Sequence, residues 1–253
     1  MIKFRDGFYA DVRTEDRSHT TISYKAGILE EMRTRVECRA FLRVYDGRMW
    51  YYASVTDLEN LQKTLDGLYD AATPNAQILD DQVVRLFERN KDTLMCFADC
   101  SVRDIPAKEK QNLLLSYLPL LSEDSCVSMP QGTYLDRNSL FHFQSSLGAD
   151  ITYDYQTCGL SFYCDMTEGE KKFSGHWQKG CTHFDELKGL DDEIRSAMTE
   201  QTAFMRNSVP VVSGRYPVVL SPEAAGVFAH ESFGHKSESD FMLSDETMRD
   251  EWQ

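Results

Sequence analysis

The sequence predicts an α+β chain, and three features carry that reading: an Asp46-Gly47 hairpin signal followed by a helix-period run, a strand-rich meander enclosed between two helices, and a helix opened by Ser221-Pro222-Glu223. From Tyr9 to Glu15, and again from Thr20 to Lys25, apolar and polar residues alternate, which predicts two strands. Arg39–Tyr45 and Arg48–Ser54 flank Asp46-Gly47, a strong short-range hairpin signal. Leu58, Leu61, Leu65, Leu68 and Tyr69 then recur at helical spacing and predict a helix from about Asp57 to Ala72. Residues 1–75 thus read as an N-terminal α+β domain, a small sheet covered by one helix.

The run Ala71-Ala72-Thr73-Pro74-Asn75 breaks the pattern, and a middle domain over residues 76–207 follows it. Pro106 opens a helical run carrying Leu113, Leu114, Tyr117 and Leu118, and Pro119 closes it. Val127–Thr133, Leu140–Ser145, Ala149–Tyr155 and Leu160–Met166 are β-branched or aromatic runs divided by turn residues, so four short strands are expected. A helix from about Asp185 to Asn207 ends this part, with Leu187, Leu190, Ile194, Ala197, Met198 and Phe204 as its apolar positions. Residues 208–253 begin a third domain. Pro217–Leu220 reads as a short buried strand, and Ser221 as the N-cap of a helix with Pro222 at its first position and Glu223 near the positive end of its dipole. Ala225, Phe228 and Ala229 carry that helix to His230, Glu231, Gly234 and His235.

A chain of 253 residues with 42% hydrophobic composition can bury one large core or two medium ones. Its 41 acidic residues against 27 basic ones give a net charge of −14, which repels a phosphate backbone and argues against a nucleic-acid partner. Met1–Gly7 has no secretory apolar region, and no later run approaches the roughly 18 apolar residues of a membrane span. A cytoplasmic protein with no membrane partner is the expectation. Seven scattered cysteines without a C-x-x-C pair fit reduced thiols, each first read as a small buried hydrophobe.

The segment His230-Glu231-Ser232-Phe233-Gly234-His235 carries the chemistry. Two imidazoles and a carboxylate on one helix are a zinc-hydrolase device: the histidines hold the ion and the acid activates water. In H-E-x-x-H the histidines sit about 40° apart around the helix, but the five-residue spacing here puts them about 140° apart on a regular one. Shared chelation therefore requires a widened turn or a helix end, and Gly234 is placed to permit it. The alternative reading keeps His230 as a satisfied core histidine and His235 as a cation at the helix C-terminus.

His230-Glu-Ser-Phe-Gly-His-Lys-Ser-Glu-Ser-Asp240 resembles the signature H-E-x-x-G-H-x-x-E-x-D of the TldD/PmbA family of metallopeptidases at every specified position. Pro217–Pro222, Tyr9–Arg13, the Asp46-Gly47 hairpin with its helix, and the helix-meander-helix of the middle part resemble that family's other parts. The resemblance implies a zinc-dependent peptidase acting on small or unfolded peptides, with His230 and His235 as zinc ligands and Glu231 as general base. It further implies a third ligand, a cysteine from a later domain, and pairing with a related subunit lacking the metal motif, or with a second copy. Glu238 and Asp240 match the motif, and read as direct ligands, as acids behind the ligands, or as solvated acids. The expectation is an N-terminal fragment with a truncated catalytic domain, inactive alone, whose Val218, Leu220 and Phe228 lack packing partners and whose Leu243–Gln253 contains no closing element. A non-catalytic regulatory or partner subunit, with a structural His-Glu segment, is the rival. Among weaker candidates, His176, Cys181 and His183 read as a surface loop, Cys96 and Cys100 as buried core thiols, and Asp80-Asp81 and Asp191-Asp192-Glu193 as helix starts.

Overall fold

The computed structural model describes residues 2–240 together with 247 and 250, so the expectation for Leu243–Gln253 lies outside the described residues. The chain falls into two compact units, Met1–Ser208 and Val209–Gln253. Among the described residues the first unit holds one seven-stranded sheet, ordered β3-β2-β1-β5-β6-β4 with β7 also paired to β6. Its strands are β1 (Tyr9–Lys25), β2 (Ile28–Tyr45), β3 (Trp50–Val55), β4 (Lys91–Leu94), β5 (Val127–Ser145), β6 (Asp150–Glu168) and β7 (Lys171–Cys181). All pairings are antiparallel except β4 with β6. The predicted α+β class is what forms.

The strands are longer and fewer than the residue pattern suggests. Tyr9–Glu15 and Thr20–Lys25 are one strand, because the polar Asp16, Arg17, Ser18 and His19 between them stay paired to β2 and β5. The four short strands expected after residue 127 are the two long strands β5 and β6, and the polar run Asp136-Arg137-Asn138 that divides them in sequence lies within the β5 ladder. Three stretches form strands that the residue pattern does not suggest: the first part of β2, the short exposed β4, and β7. Ile28–Cys38 is charged and largely exposed, but Ala26 and Gly27 both take positive φ and fold it back on β1 in a two-residue turn. Lys171–Cys181 is polar and glycine-containing, and β6 recruits it. The Asp46-Gly47 hairpin forms with a loop wider than the dipeptide: Tyr45 pairs with Trp50, and the Asp46 carboxylate accepts from the amides of Arg48 and Met49, both at 2.8 Å.

Three helices cover one face of this sheet. Helix α1 (Leu61–Ala71) starts later than expected and packs Leu65 and Tyr69 on Ala10, Val12, Leu42 and Val44. Helix α2 (Ala107–Tyr117) follows Pro106, which caps it from outside the first turn, and continues as a 3₁₀ segment through Pro119 to Ser122. Helix α3 (Asp191–Asn207) is preceded by a separate 3₁₀ turn at Phe184–Leu187. Leu114, Ile194, Met198 and Met205 meet Tyr134, Leu160, Phe162 and Met166, alternate residues of β5 and β6 that share this face. The opposite face is covered near Tyr9 and Tyr45 by Ile78 and Val84.

Among the described residues, one buried ion pair enters this core. Lys110 of α2 meets Asp136 of β5 at 2.5 Å, with side chains 3% and 2% exposed. Asp136 also accepts from the Tyr134 hydroxyl at 2.8 Å and the Thr20 amide at 3.1 Å, so one carboxylate ties α2, β1 and β5 together. Burial, and then Asp136, push the Tyr134 hydroxyl well above its ordinary pKa.

Candidate metal centre

The site lies in the second unit, on helix α4 (Pro222–Ala229) and its continuation. The start of α4 follows from its first residues as expected: the Ser221 hydroxyl accepts from the Ala224 amide at 3.2 Å, Pro222 takes the first turn, and Glu223 sits at the positive end. The segment before it does not follow the expectation. Pro217–Leu220 forms no strand and is exposed, because no neighbouring strand pairs with it among the described residues. Val218, Leu220 and Phe228 are 72%, 49% and 65% exposed, so the expected apolar faces lie bare in this unit.

Past Ala229 the helix widens. His230–Gly234 is a π turn, closed by the amide of His235 donating to the carbonyl of His230, and a 3₁₀ turn follows at His235–Ser237. A five-residue closure brings residues i and i+5 onto the same side. The imidazoles of His230 and His235 accordingly stand with ring centroids 4.3 Å apart. Serine hydroxyls bond backwards within this turn, Ser232 to the carbonyl of Phe228 and Ser237 to that of Phe233. Such back-bonding bends helices.

Gly234 departs from expectation. Its φ of −57° and ψ of −54° suit any residue, so the turn does not need its backbone freedom. A Cβ there would lie 3.4 Å from His230 Nδ1, an ordinary van der Waals contact, so the neighbouring ring does not require glycine either.

Among the described residues, His230, Glu231 and His235 form the group of His, Cys, Asp or Glu side chains that could share an ion, with one ligand atom from each lying within 4.8 Å of the others. His235 Nε2 stands 3.8 Å from Glu231 Oε2. On its other side, His235 Nδ1 meets Glu238 Oε1 at 2.7 Å. An Nδ1–H donated to Glu238 leaves the Nε2 lone pair for an ion, which is how carboxylates orient histidine ligands. Asp240 is exposed, and no contact ties it to this group. Two imidazoles beside one carboxylate are a set of side chains suited to zinc and a water that it activates.

The other candidates separate. His176 stacks on Tyr163 at 6.0 Å, the Cys181 Sγ lies 3.5 Å from the Cys158 Sγ, and His183 faces Glu186 at 3.3 Å. His176 and Cys181 belong to β7, not to a loop. Cys96 and Cys100 are exposed, not buried, because they follow the short exposed strand β4, which pairs with β6 alone. Asp191, Asp192 and Glu193 do occupy the first turn of α3, and Asp81 accepts from the amides of Val83 and Val84.

Residues 10–72 match the family profile described as PmbA/TldA metallopeptidase domain 1. A metalloprotease of Methanocaldococcus jannaschii is 23% identical over 247 residues, 96% of this chain and 54% of that protein. The chain is thus similar to the TldD/PmbA family in its first domain and to curated metalloproteases along most of its length. A zinc metalloprotease TldD homolog of Saccharolobus solfataricus is 48% identical over 40 residues, 16% of this chain and 9% of that protein. The TldD/PmbA fold is seen again in two solved structures. One, from Bacteroides thetaiotaomicron and described as a candidate modulator of DNA gyrase, is 17% identical with a TM-score of 0.71 over 93% of this chain and 54% of its own. The other, TldE from Thermococcus kodakarensis, is 10% identical with a TM-score of 0.62 over 80% and 46%. The chain spans about half the length of the curated TldD/PmbA relatives it matches along most of its length. Among its described residues no helix is long and apolar enough to cross a membrane.

Proposed function

We propose that this chain carries the zinc-binding helix of a cytoplasmic peptidase that cleaves small or unfolded peptides. The observation that carries the reading is the π turn, which sets His230, Glu231 and His235 within 4.8 Å of one another from positions that a regular helix would splay apart. The names of the TldD/PmbA relatives as metalloproteases support the same class.

In this reading His230 and His235 hold the ion through imidazole nitrogens, and Glu238 fixes the orientation of His235. Zinc, when bound, supplies Lewis acidity and lowers the pKa of a coordinated water. Glu231 is the general base: its carboxylate takes the proton of the attacking water as that water adds to a peptide carbonyl, and returns it to the leaving amine. A third ligand comes from outside the described residues, and the resemblance to the family implies a cysteine. The partner is a related subunit lacking the metal motif, or a second copy. Neither nucleic acid nor membrane is required, in keeping with the net charge of −14.

Glu231→Gln tests the assignment, because the amide keeps the shape and cannot take a proton. In the whole protein, which supplies the third ligand, zinc content should stay at the parental level while turnover of a fluorogenic unfolded peptide falls on the order of a hundredfold to ten-thousandfold; this chain alone should show no turnover. Parental turnover in zinc-loaded Glu231→Gln protein would move the base elsewhere.

A further inference from the structure

Helices cover one face of the sheet, and the other face carries a row of side chains that folding alone does not explain. Arg35, His19 and Arg137 stand directly opposite one another on β2, β1 and β5. No carboxylate stands in this row, whereas neighbouring rows set opposite charges against each other: Arg17 faces Glu37, and Glu15 faces Arg39. Arg17 is held by Glu15 at 2.7 Å, and Arg35 turns to Glu37 at 3.3 Å. Arg137 and His19 have no hydrogen-bond or ion-pair partner among the described residues.

Beside Arg137 the face is hollow. Gly159 and Gly180 are paired across β6 and β7, so no side chain rises there, and a groove of about 660 Å³ opens between them and Arg137, His19, Leu135 and Tyr155. Leu135 and Tyr155 are 50% and 49% exposed at its rim. The Arg137 guanidinium beside bare apolar side chains is complementary to an anionic ligand that also carries apolar groups. Leu135 and Arg137 are two apart on one strand, about 7 Å, which is also the spacing of same-side residues in an extended peptide. We propose that this groove docks an extended acidic polypeptide segment, a carboxylate on Arg137 and the side chain two positions away on Leu135 and Tyr155.

The test is fluorescence anisotropy of a fluorescein-labelled dodecapeptide of Glu-Ser-Phe-Ser repeats, titrated with this chain at low salt. Saturable binding is expected. Arg137→Gln removes a charge-assisted contact and should weaken it about tenfold or more. Gly180→Val fills the hollow. A Cβ at Gly180 meets nothing within 4 Å and its φ is not positive, so thermal unfolding should stay parental while binding weakens to a similar degree. Absence of saturable binding, or parental affinity in folded Arg137→Gln, would overturn the proposal. So would equal or tighter binding of the Lys-Ser-Phe-Ser analogue or of an oligothymidylate, the latter assigning the row to phosphate instead.

Discussion

Lys110→Met removes the cation of the one buried ion pair in the helix-covered core and leaves Asp136 2% exposed without it. Breaking such a pair from one side costs about 3–5 kcal/mol, because the remaining charge stays buried and uncompensated. The hydroxyl of Tyr134 at 2.8 Å and the amide of Thr20 at 3.1 Å still solvate Asp136, which places the expected loss toward the lower end of that range. For a unit of this size each kcal/mol lowers the melting temperature by about 2–4 °C, so a drop of roughly 6–12 °C should follow. Denaturant titration followed by circular dichroism measures the free energy, and calorimetry the temperature. Adding Asp136→Asn to Lys110→Met should recover part of the loss, since the amide can still accept from Thr20 without carrying charge. A loss below about 1 kcal/mol in Lys110→Met, or a double variant worse than the sum of the singles, would refute this account of what joins α2 to the sheet.

Three further outcomes follow from the same structure. Gly47 has a φ of +93°, and a Cβ there would stand 2.6 Å from the Asn75 side chain; Gly47→Ala should cost about 1–2 kcal/mol in denaturant titration, and parental stability would contradict the strained hairpin loop. The Asp124 carboxyl is held down to about 2 by the Cys126 amide and by Arg206, which also binds Glu168 and so anchors the end of α3. A carboxyl lowered on folding stabilises above its unfolded pKa, so that contribution should vanish as pH falls from about 4 to 2. Melting curves of parent and Asp124→Asn should converge over that window, and a constant gap would contradict the assignment. Gly234→Ala should leave zinc binding and helix content near parental, since its dihedrals are ordinary helical ones and its Cβ would meet His230 Nδ1 at an ordinary contact distance of 3.4 Å; a marked loss of zinc would show that the turn needs glycine after all.

Much of the site was legible because it depends on local chemistry. Ser221-Pro222-Glu223 contains its own capping instructions, and the five-residue spacing of His230 and His235 demands a departure from α-geometry if they are to meet. The contact of Glu238 with His235 was readable only as one of two alternatives, because spacing does not say which carboxylate oxygen meets which nitrogen. Gly234 is not what permits the turn: its dihedrals are ordinary helical ones, which the presence of a glycine in the sequence does not reveal. The sheet was less legible. A strand such as β1 passes through Asp16–His19 without an apolar signal because its partners on both sides satisfy its backbone, and pairing is a non-local fact. Pro217–Leu220 failed the opposite way, an apolar run with the composition of a strand and no partner among the described residues. The Arg35-His19-Arg137 row appears only once the register of three strands is known.

The central claim is that His230 and His235 share an ion. Zinc content after dialysis, measured by elemental analysis on the parent and on His230→Ala/His235→Ala, tests it most directly, with circular dichroism to verify that both are folded. In the whole protein, with its third ligand, the account predicts about one zinc per motif-bearing chain and loss of that zinc in the double variant. Undiminished zinc in the folded double variant would contradict it.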